Sequence, residues 1–241
     1  MYNIEKQEWD SEFFNLNIGK VEIQKDESFH FKEFKNQISK KNYDLIYIVS
    51  IDKMLSNDIL NDTKIVFTDI IITMIKNFNK EEYLDIPYKF KVKLSPKKIQ
   101  ECYHIAEQVS IVSRFNKESL IGSEKTKHLY KKWIDNTLNK SFSDGLFIES
   151  KSNVINGIHI IKTNQMEKIG YFSLTGVRAN NKNSGIGSKL WMQSMAYWAN
   201  ESDINFIKSP FSFQNKDSFN FHLKHGFNKI LNVKYLYHFK P

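Results

Sequence analysis

Hydrophobic positions along the chain fall into two periods, one of strands and one of helices. Short apolar runs at Gly19–Ile23, Tyr43–Ser50 and Ile65–Ile75 have the length and β-branched content of strands, and the polar segments Phe29–Lys41 and Lys53–Asn61 read as helices. A charged, proline-containing stretch, Asn77–Lys98, predicts a connection or an edge element. Ser95-Pro96 opens a predicted helix to about Ser110, proline being tolerated in a first turn where its missing N–H is not needed. A second helix is predicted over Glu124–Asn139, where Leu129, Tyr130, Trp133, Ile134 and Leu138 recur at helical spacing. Strands follow at Leu146–Ser150, Ile155–Thr163 and Tyr171–Val177. After them come an amphipathic helix in KLWMQSMAYWAN, a strand at Asn205–Lys208, a helix at Asp217–Lys224 and a strand at Lys234–Phe239. The second half thus runs α-α-β-β-β-α-β-α-β, with no internal repeat of solenoid period and no low-complexity tract.

Composition narrows the class. With 241 residues and 41% hydrophobic content, the chain can bury the core of one large or two small domains. Cys102 has no partner for an internal disulfide, which fits a reducing cytoplasm, and its place in the helix pattern KIQECYHIAEQV makes it a packing residue. No secretory leader pattern precedes the acidic stretch Met1–Glu12. The longest apolar run, IIITMI, is far below the ~20 residues of a membrane span, so none is expected. The formal charge of +8 comes from scattered lysines, with no basic-aromatic stripe and no zinc-finger spacing, which points to acidic small molecules rather than nucleic acid. Arg114 and Arg178 are the only arginines, each either a two-pronged ligand contact or a surface ion pair. His104, His128 and His159 lack metal-ligand spacing, and no metal is expected.

Candidate chemistry concentrates in VRANNKNSGIGS, Val177–Ser188, between a strand and a helix. The first amides of a helix have no partner within it, and with the positive end of the dipole they favour a pyrophosphate. Gly185 and Gly187 let phosphates approach without a Cβ in the way. A P-loop would need GxxxxGK with Ser or Thr, and a dinucleotide fingerprint would need glycine where Leu190 stands. On the glycines alone, a phosphate cradle and an ordinary loop remain open.

The segment resembles motif A of the GNAT acyltransferases, with Val177, Lys182, Gly185 and Gly187 at the matching offsets, Lys182 standing where Arg or Gln is usual. NKDSFNFHLKHGF, Asn215–Phe227, resembles a later element of the same family, matching at Asn215, Ser218, Phe221, Gly226 and Phe227. The resemblance implies an α/β (α+β) GNAT fold, a mixed central sheet flanked by helices, with acetyl-CoA as cofactor. WDSEFFNLNIG from Trp9, the SRF triplet Ser113–Phe115 and LYKKWIDNTL from Leu129 are similar to the dTDP-fucosamine acetyltransferase group. That likeness implies an N-terminal partial α/β domain over residues 1–90, a catalytic domain over 91–241, a homodimer, and a nucleotide-linked amino-deoxy sugar as acceptor. Core packing is the expected role of Trp9, Phe13 and Phe14. Arg114 and Phe115, just beyond a helix, are the candidate acceptor contacts.

The resemblance also implies the reaction, attack of a neutral amine on the thioester. Leu174, Thr175, Gly176 and Val177 would bind the pantetheine arm through a strand edge splayed from its neighbour, where an N–H can stabilise the oxyanion. Lys182, Asn183, Ser184, Gly185, Ile186, Gly187 and Ser188 would hold the pyrophosphate, and Asn215 would touch the pantetheine. His222 stands where related enzymes carry a tyrosine that protonates the departing thiolate; it either donates that proton or only hydrogen-bonds in the pocket. His225 is expected to be a solvated helix-end residue. YFSLTGV carries no carboxylate, so no general base is assigned. A GNAT acting on another amine or a peptide N-terminus, and a non-catalytic CoA-binding module, are the alternatives.

Overall fold

The computed structural model describes residues 1–91 and 93–241. The chain opens with β1 (Glu5–Lys6), α1 (Glu8–Phe14), β2 (Ile18–Ile23), α2 (Phe31–Ile38), β3 (Leu45–Ile51), α3 (Asn57–Leu60) and β4 (Ile65–Asn77). It continues with β5 (Phe90–Lys91), α4 (Pro96–Ser110), α5 (Gly122–Leu138), β6 (Gly145–Lys151), β7 (Val154–Asn164) and β8 (Ile169–Val177), and closes with α6 (Ile186–Glu201), β9 (Phe206–Ser212), α7 (Lys216–Lys224) and β10 (Lys229–Phe239). Val92, inside the expected connection, lies outside the described residues.

A single 10-stranded sheet takes these strands in the order β1-β2-β3-β10-β4-β9-β8-β7-β6-β5. Its mixed character is as expected: β2 with β3 and β8 with β9 are parallel, and the other pairs are antiparallel. The sheet does not break near residue 90. β4 lies between β9 and β10, and β10 between β3 and β4, so the two ends of the chain interleave.

Helices cover both faces, which explains the continuous apolar run of β3. Ile46 and Ile48 pack with α2 and α3, through Phe34, Ile38 and Ile59. Leu45 and Tyr47, alternating with them, pack with Phe14 of α1 and Leu129 of α5. On the first face α6 contributes Leu190, Trp191, Met195 and Trp198 to the core over Phe172 and Ile207. On the second, α4 and α5 pack Ile105, Ala106 and Ile134 over Ile158, Ile160 and Leu174. Cys102 belongs to that layer, fully buried, its thiol pushed up to about 12 by burial, as suits a packing residue. No helix among the described residues is long and apolar enough to cross a membrane.

Most strands and helices stand where periodicity predicts them; β1 is additional, β10 starts at Lys229 rather than Lys234, and α1, α3 and β9 also depart from it. α1 is too short for a helical period to show; it puts Phe14 in the core but leaves Trp9 41% exposed, stacked on Phe13, so Trp9 is not the expected core residue. The helix expected over Lys53–Asn61 is confined to Asn57–Leu60. β9 runs past its expected end through Pro210 to Ser212. A proline fits there because β9 has by then parted from β8, and no ladder bond on that side requires its missing N–H.

Candidate functional site

β8 and β9 pair at Ile169↔Phe206, Gly170↔Ile207 and Tyr171↔Lys208 and then separate. β8 stays on β7, but with a bulge: Ile161 opposes Phe172 and Ile160 opposes Leu174, leaving Ser173 unpaired. The extra residue switches faces, so Phe172 packs under α6 while Leu174 packs under α4. From Leu174 to Val177 the edge turned away from β7 therefore has no strand partner among the described residues. α4 presses on this edge closely, since a Cβ on Gly176 would stand 2.6 Å from Ile105 and 2.8 Å from Val109. Thr175 is exposed on the α6 face, its hydroxyl 2.7 Å from Nδ1 of the buried His159. Burial, helped by the neighbouring His222, pushes His159 down to about 3, so it is neutral. Arg178 closes the strand structurally, its Nε donating to the Ile155 carbonyl (2.7 Å).

The turn that follows enters α6 through a left-handed Gly185 (φ 82°), where no atom lies within 4 Å of an added Cβ. That conformation costs an L-residue on the order of 1–2 kcal/mol, which accounts for the glycine. The first intrahelical bond runs from Lys189 N–H to Gly185 C=O. Among the described residues the amides of Gly185, Ile186, Gly187 and Ser188 have no acceptor. Gly187 owes its place to packing as well: a Cβ there would stand 3.2 Å from the Phe221 ring of α7. Lys182 is exposed and pairs with Asp217 of α7 (2.9 Å). Ser184 Oγ donates to the Asn181 carbonyl (2.6 Å), and Asn183 holds a left-handed φ of 62°.

α7 leans on α6 from the same face. Asn215 caps it, Oδ1 accepting from Ser218 N–H at 3.0 Å, which leaves its Nδ2 amide without a partner among the described residues. His225 is not solvated as expected: its ring stacks on Trp191 at 4.4 Å and Nε2 meets Ser188 Oγ at 3.0 Å. His222, the candidate proton donor, is enclosed. The residue is 4% exposed, its ring stacked on Phe211, with Nδ1 2.6 Å from the Ser218 carbonyl and Nε2 2.5 Å from Ser209 Oγ. A carbonyl only accepts, so the ring proton sits on Nδ1, and Nε2 accepts from the serine. Burial lowers its basicity. The one N–H of a neutral imidazole is thus committed to a carbonyl, and the ring has no proton to give a leaving group.

The opposite face of the same opening is built from distant segments. A 3-10 turn, Arg114–Lys117, joins α4 to α5 and is tied to β4 by Lys117 Nζ donating to the Thr68 carbonyl. Phe115 is 7% exposed, packed against Phe14 and Tyr47; it is a core residue, not an acceptor contact. Arg114 is only half-buried, its guanidinium over the rings of Tyr47 (4.5 Å) and Phe115 (4.3 Å). One nitrogen lies 3.1 Å from His238 Nε2, and His238 Nδ1 lies 3.4 Å from the buried Glu118. Burial pushes His238 down to about 4, so a neutral ring stands between the cation and the anion. Burial would raise Glu118, but contacts from His238, the Leu120 N–H and Lys240 bring it down to about 2. Asp10 of α1 faces the Tyr47 hydroxyl and is raised by burial.

Asp69 of β4 completes this face and went unnoticed in the sequence, where its one signal is a carboxylate inside an otherwise apolar strand. It opposes Leu236 of β10, two residues from His238, on the side of the sheet that carries Arg114. Ser212, the last residue of β9, donates to its Oδ1 at 2.7 Å, and the Ile70 N–H donates to the same oxygen at 2.8 Å.

The opening between β8 and β9 therefore has two walls. One offers backbone donors at a strand edge and a helix N-terminus, suited to an extended ligand ending in phosphates; the other offers charged side chains. No family model matches the sequence, and no curated protein matches it. Solved structures do share the fold. A functionally unknown conserved protein of Staphylococcus epidermidis superposes with a TM-score of 0.64 at 9% identity, covering 93% of this chain and 84% of its own. A GCN5-related N-acetyltransferase of Sphaerobacter thermophilus gives 0.53 at 10% identity over 98% and 75% of the two chains. One from Kribbella flavida gives 0.51 at 7% identity over 93% and 81%. The fold is that of the GCN5-related N-acetyltransferases.

Proposed function

We propose that this chain is an acyl-CoA-dependent N-acyltransferase that moves an acetyl group from acetyl-CoA to a primary amine. The parting of β8 from β9, just upstream of the partnerless amides at the start of α6, carries the reading. Pantetheine would bond the free edge at Leu174, Thr175, Gly176 and Val177, completing the ladder that β9 abandons. Its pyrophosphate would lie on the turn formed by Lys182, Asn183, Ser184, Gly185, Ile186, Gly187 and Ser188, with the amides of Gly185 to Ser188 as donors. The free Nδ2 of Asn215 would reach the pantetheine. A strand N–H preorganised beside the thioester would stabilise the oxyanion as the amine attacks. Proton transfer to the thiolate is assigned to the amine's own nitrogen proton rather than to His222.

A nucleotide-linked amino-deoxy sugar is the proposed acceptor. Two features support it: the SRF and WDSEFF likeness, and Arg114, a half-buried cation suited to the anionic part of such a molecule. The first ninety residues, proposed as a partial domain, would supply that side of the site through β3 and β4.

Calorimetric titration with acetyl-CoA, followed by thiol release with nucleotide-linked amino sugars, amino acids, peptides and simple amines, tests both parts. Binding of acetyl-CoA with transfer to a nucleotide-linked amino sugar is expected. Absence of acetyl-CoA binding would overturn the whole reading. Transfer to other amines alone would remove the sugar, and binding with no transfer to any of them would leave a CoA-binding module.

A further inference from the structure

Asp69 is a carboxylate held by one oxygen. Oδ1 takes two hydrogen bonds, from Ser212 Oγ and from the Ile70 N–H, while Oδ2 has no hydrogen-bond partner and no cation lies within ion-pair distance among the described residues. The residue as a whole is 3% exposed. Oδ2 is not fully enclosed, and so it stays open to solvent and to a ligand. Its anchor gives the location. Ser212 ends β9, the strand that diverges from β8, and Asp69 and Ser212 stand on the face away from α6, so the free oxygen flanks the mouth of the opening on the acceptor side.

Resting on the acyltransfer reading above, we propose that Asp69 receives the proton of the acceptor's ammonium group and thereby frees the amine to attack. The nitrogen then adds to the thioester carbonyl carbon, forming the C–N bond. The C–S bond breaks, and the sulfur takes up the second nitrogen proton, so that amide and CoA thiol leave while Asp69 returns its proton to water. Ser212 is a positioning residue, since it fixes the carboxylate through Oδ1. Arg114 and Lys117 from the 3-10 turn and Tyr130 from α5 are the charged or titratable groups that face Asp69, with His238 on the neighbouring strand. Burial holds the carboxyl above its usual range against the bonds from Ser212 and Ile70 and the charges of Lys117 and Arg114, which brings it closer to the operating pH of a base.

The test is Asp69→Asn, which keeps the shape and the Ser212 bond, in the full chain with acetyl-CoA. With an alkylamine, protonated at neutral pH, kcat/KM should fall on the order of 100-fold, while the acetyl-CoA Kd stays within twofold. With hydroxylamine, which is largely neutral at pH 7, the loss should shrink to less than tenfold. The acid limb of the wild-type pH profile, rising as Asp69 deprotonates, should disappear. Equal losses with both nucleophiles would mark Asp69 as structural and overturn the proposal, as would an unchanged rate. If Asp69→Asn fails to fold, Ser212→Ala, which frees the carboxylate, should still lower kcat with the alkylamine more than with hydroxylamine, and equal effects overturn the assignment. Wild-type protein that binds no acetyl-CoA would defeat the acyltransfer reading itself, an outcome distinct from either.

Discussion

The two walls of the β8/β9 opening are made by different means. On the α6 side the working groups are backbone amides supplied by one contiguous stretch, Val177–Ser188, and their geometry follows from a strand end, a left-handed glycine and a helix start. On the other side they are side chains of α1, β3, β4, the Arg114–Lys117 turn and β10, which meet only when the sheet is complete. A backbone site is insensitive to most side-chain changes but vulnerable to any that alters φ. A side-chain site is vulnerable at each buried charge, because removing one member strands another in a poorly solvated place.

The difference can be broken most forcefully at Glu118. Glu118→Ala leaves Lys240, His238 and the Leu120 N–H without their buried acceptor and should cost about 3–5 kcal/mol, seen as a large fall in the urea midpoint. A loss below about 1 kcal/mol would mean the side-chain wall is not held by that chain of contacts. Acid comes next. His238 and His159, at most 1% exposed, are held near about 4 and about 3 against an ordinary 6.5. Between pH 6.5 and 4 the unfolded chain therefore binds their protons before the native state does. Stability should fall as pH drops through that window, on the order of 2–3 kcal/mol per ring by pH 4. Glu118 adds a further loss only below pH 4.5, as pH falls towards its folded value of about 2. Thermal unfolding across pH 7 to 4 should show the slope, and His238→Gln should flatten part of it; a flat wild-type profile would contradict the neutral-ring assignment.

His222→Leu removes the acceptor of the Ser209 hydroxyl and should lower stability by about 1–3 kcal/mol, with kcat changing less than threefold. A hundredfold loss of kcat in folded protein would restore the ring as a proton donor. On the backbone wall, Gly185→Val should cost roughly 1–2 kcal/mol, from its left-handed φ, and weaken acetyl-CoA binding about tenfold. Lys182→Ala should be the mildest. Its ion pair with Asp217 is largely exposed, so stability should move by less than about 0.5 kcal/mol and acetyl-CoA affinity by a few-fold at low salt. Equal effects of these two variants on affinity would show that charge, not backbone geometry, dominates the grip.

The same contrast explains what could be read from the residues alone. Periods of two and 3.6 are local, and so is a glycine turn before a helix; hence β6, β7, β8, α4, α5, α6 and α7 are all near their expected places. The interleaving of β4 and β10 is not local. Nothing in IVFTDIIITMI says which strands will flank it, so Asp69 could not be placed beside the opening. His222 was legible as a position in a motif, but its hydrogen bonds to Ser209 and Ser218, which fix the tautomer, arise from packing on β9 and from its own helix. Phe115 and Arg114 are neighbours in sequence with different fates, because a 3-10 turn sends one ring into the core and lays the other side chain over the rings of Tyr47 and Phe115.

The position of β10 between β3 and β4 bears on how the protein comes into being. β10 is the last of these strands to leave the ribosome, yet both its neighbours are made long before it. Until it arrives, β3 and β4 each present an open edge that could recruit another chain. Such distant pairings close large loops late and slowly. Production in cells should therefore depend on chaperone capacity more than the stability of the finished sheet would suggest.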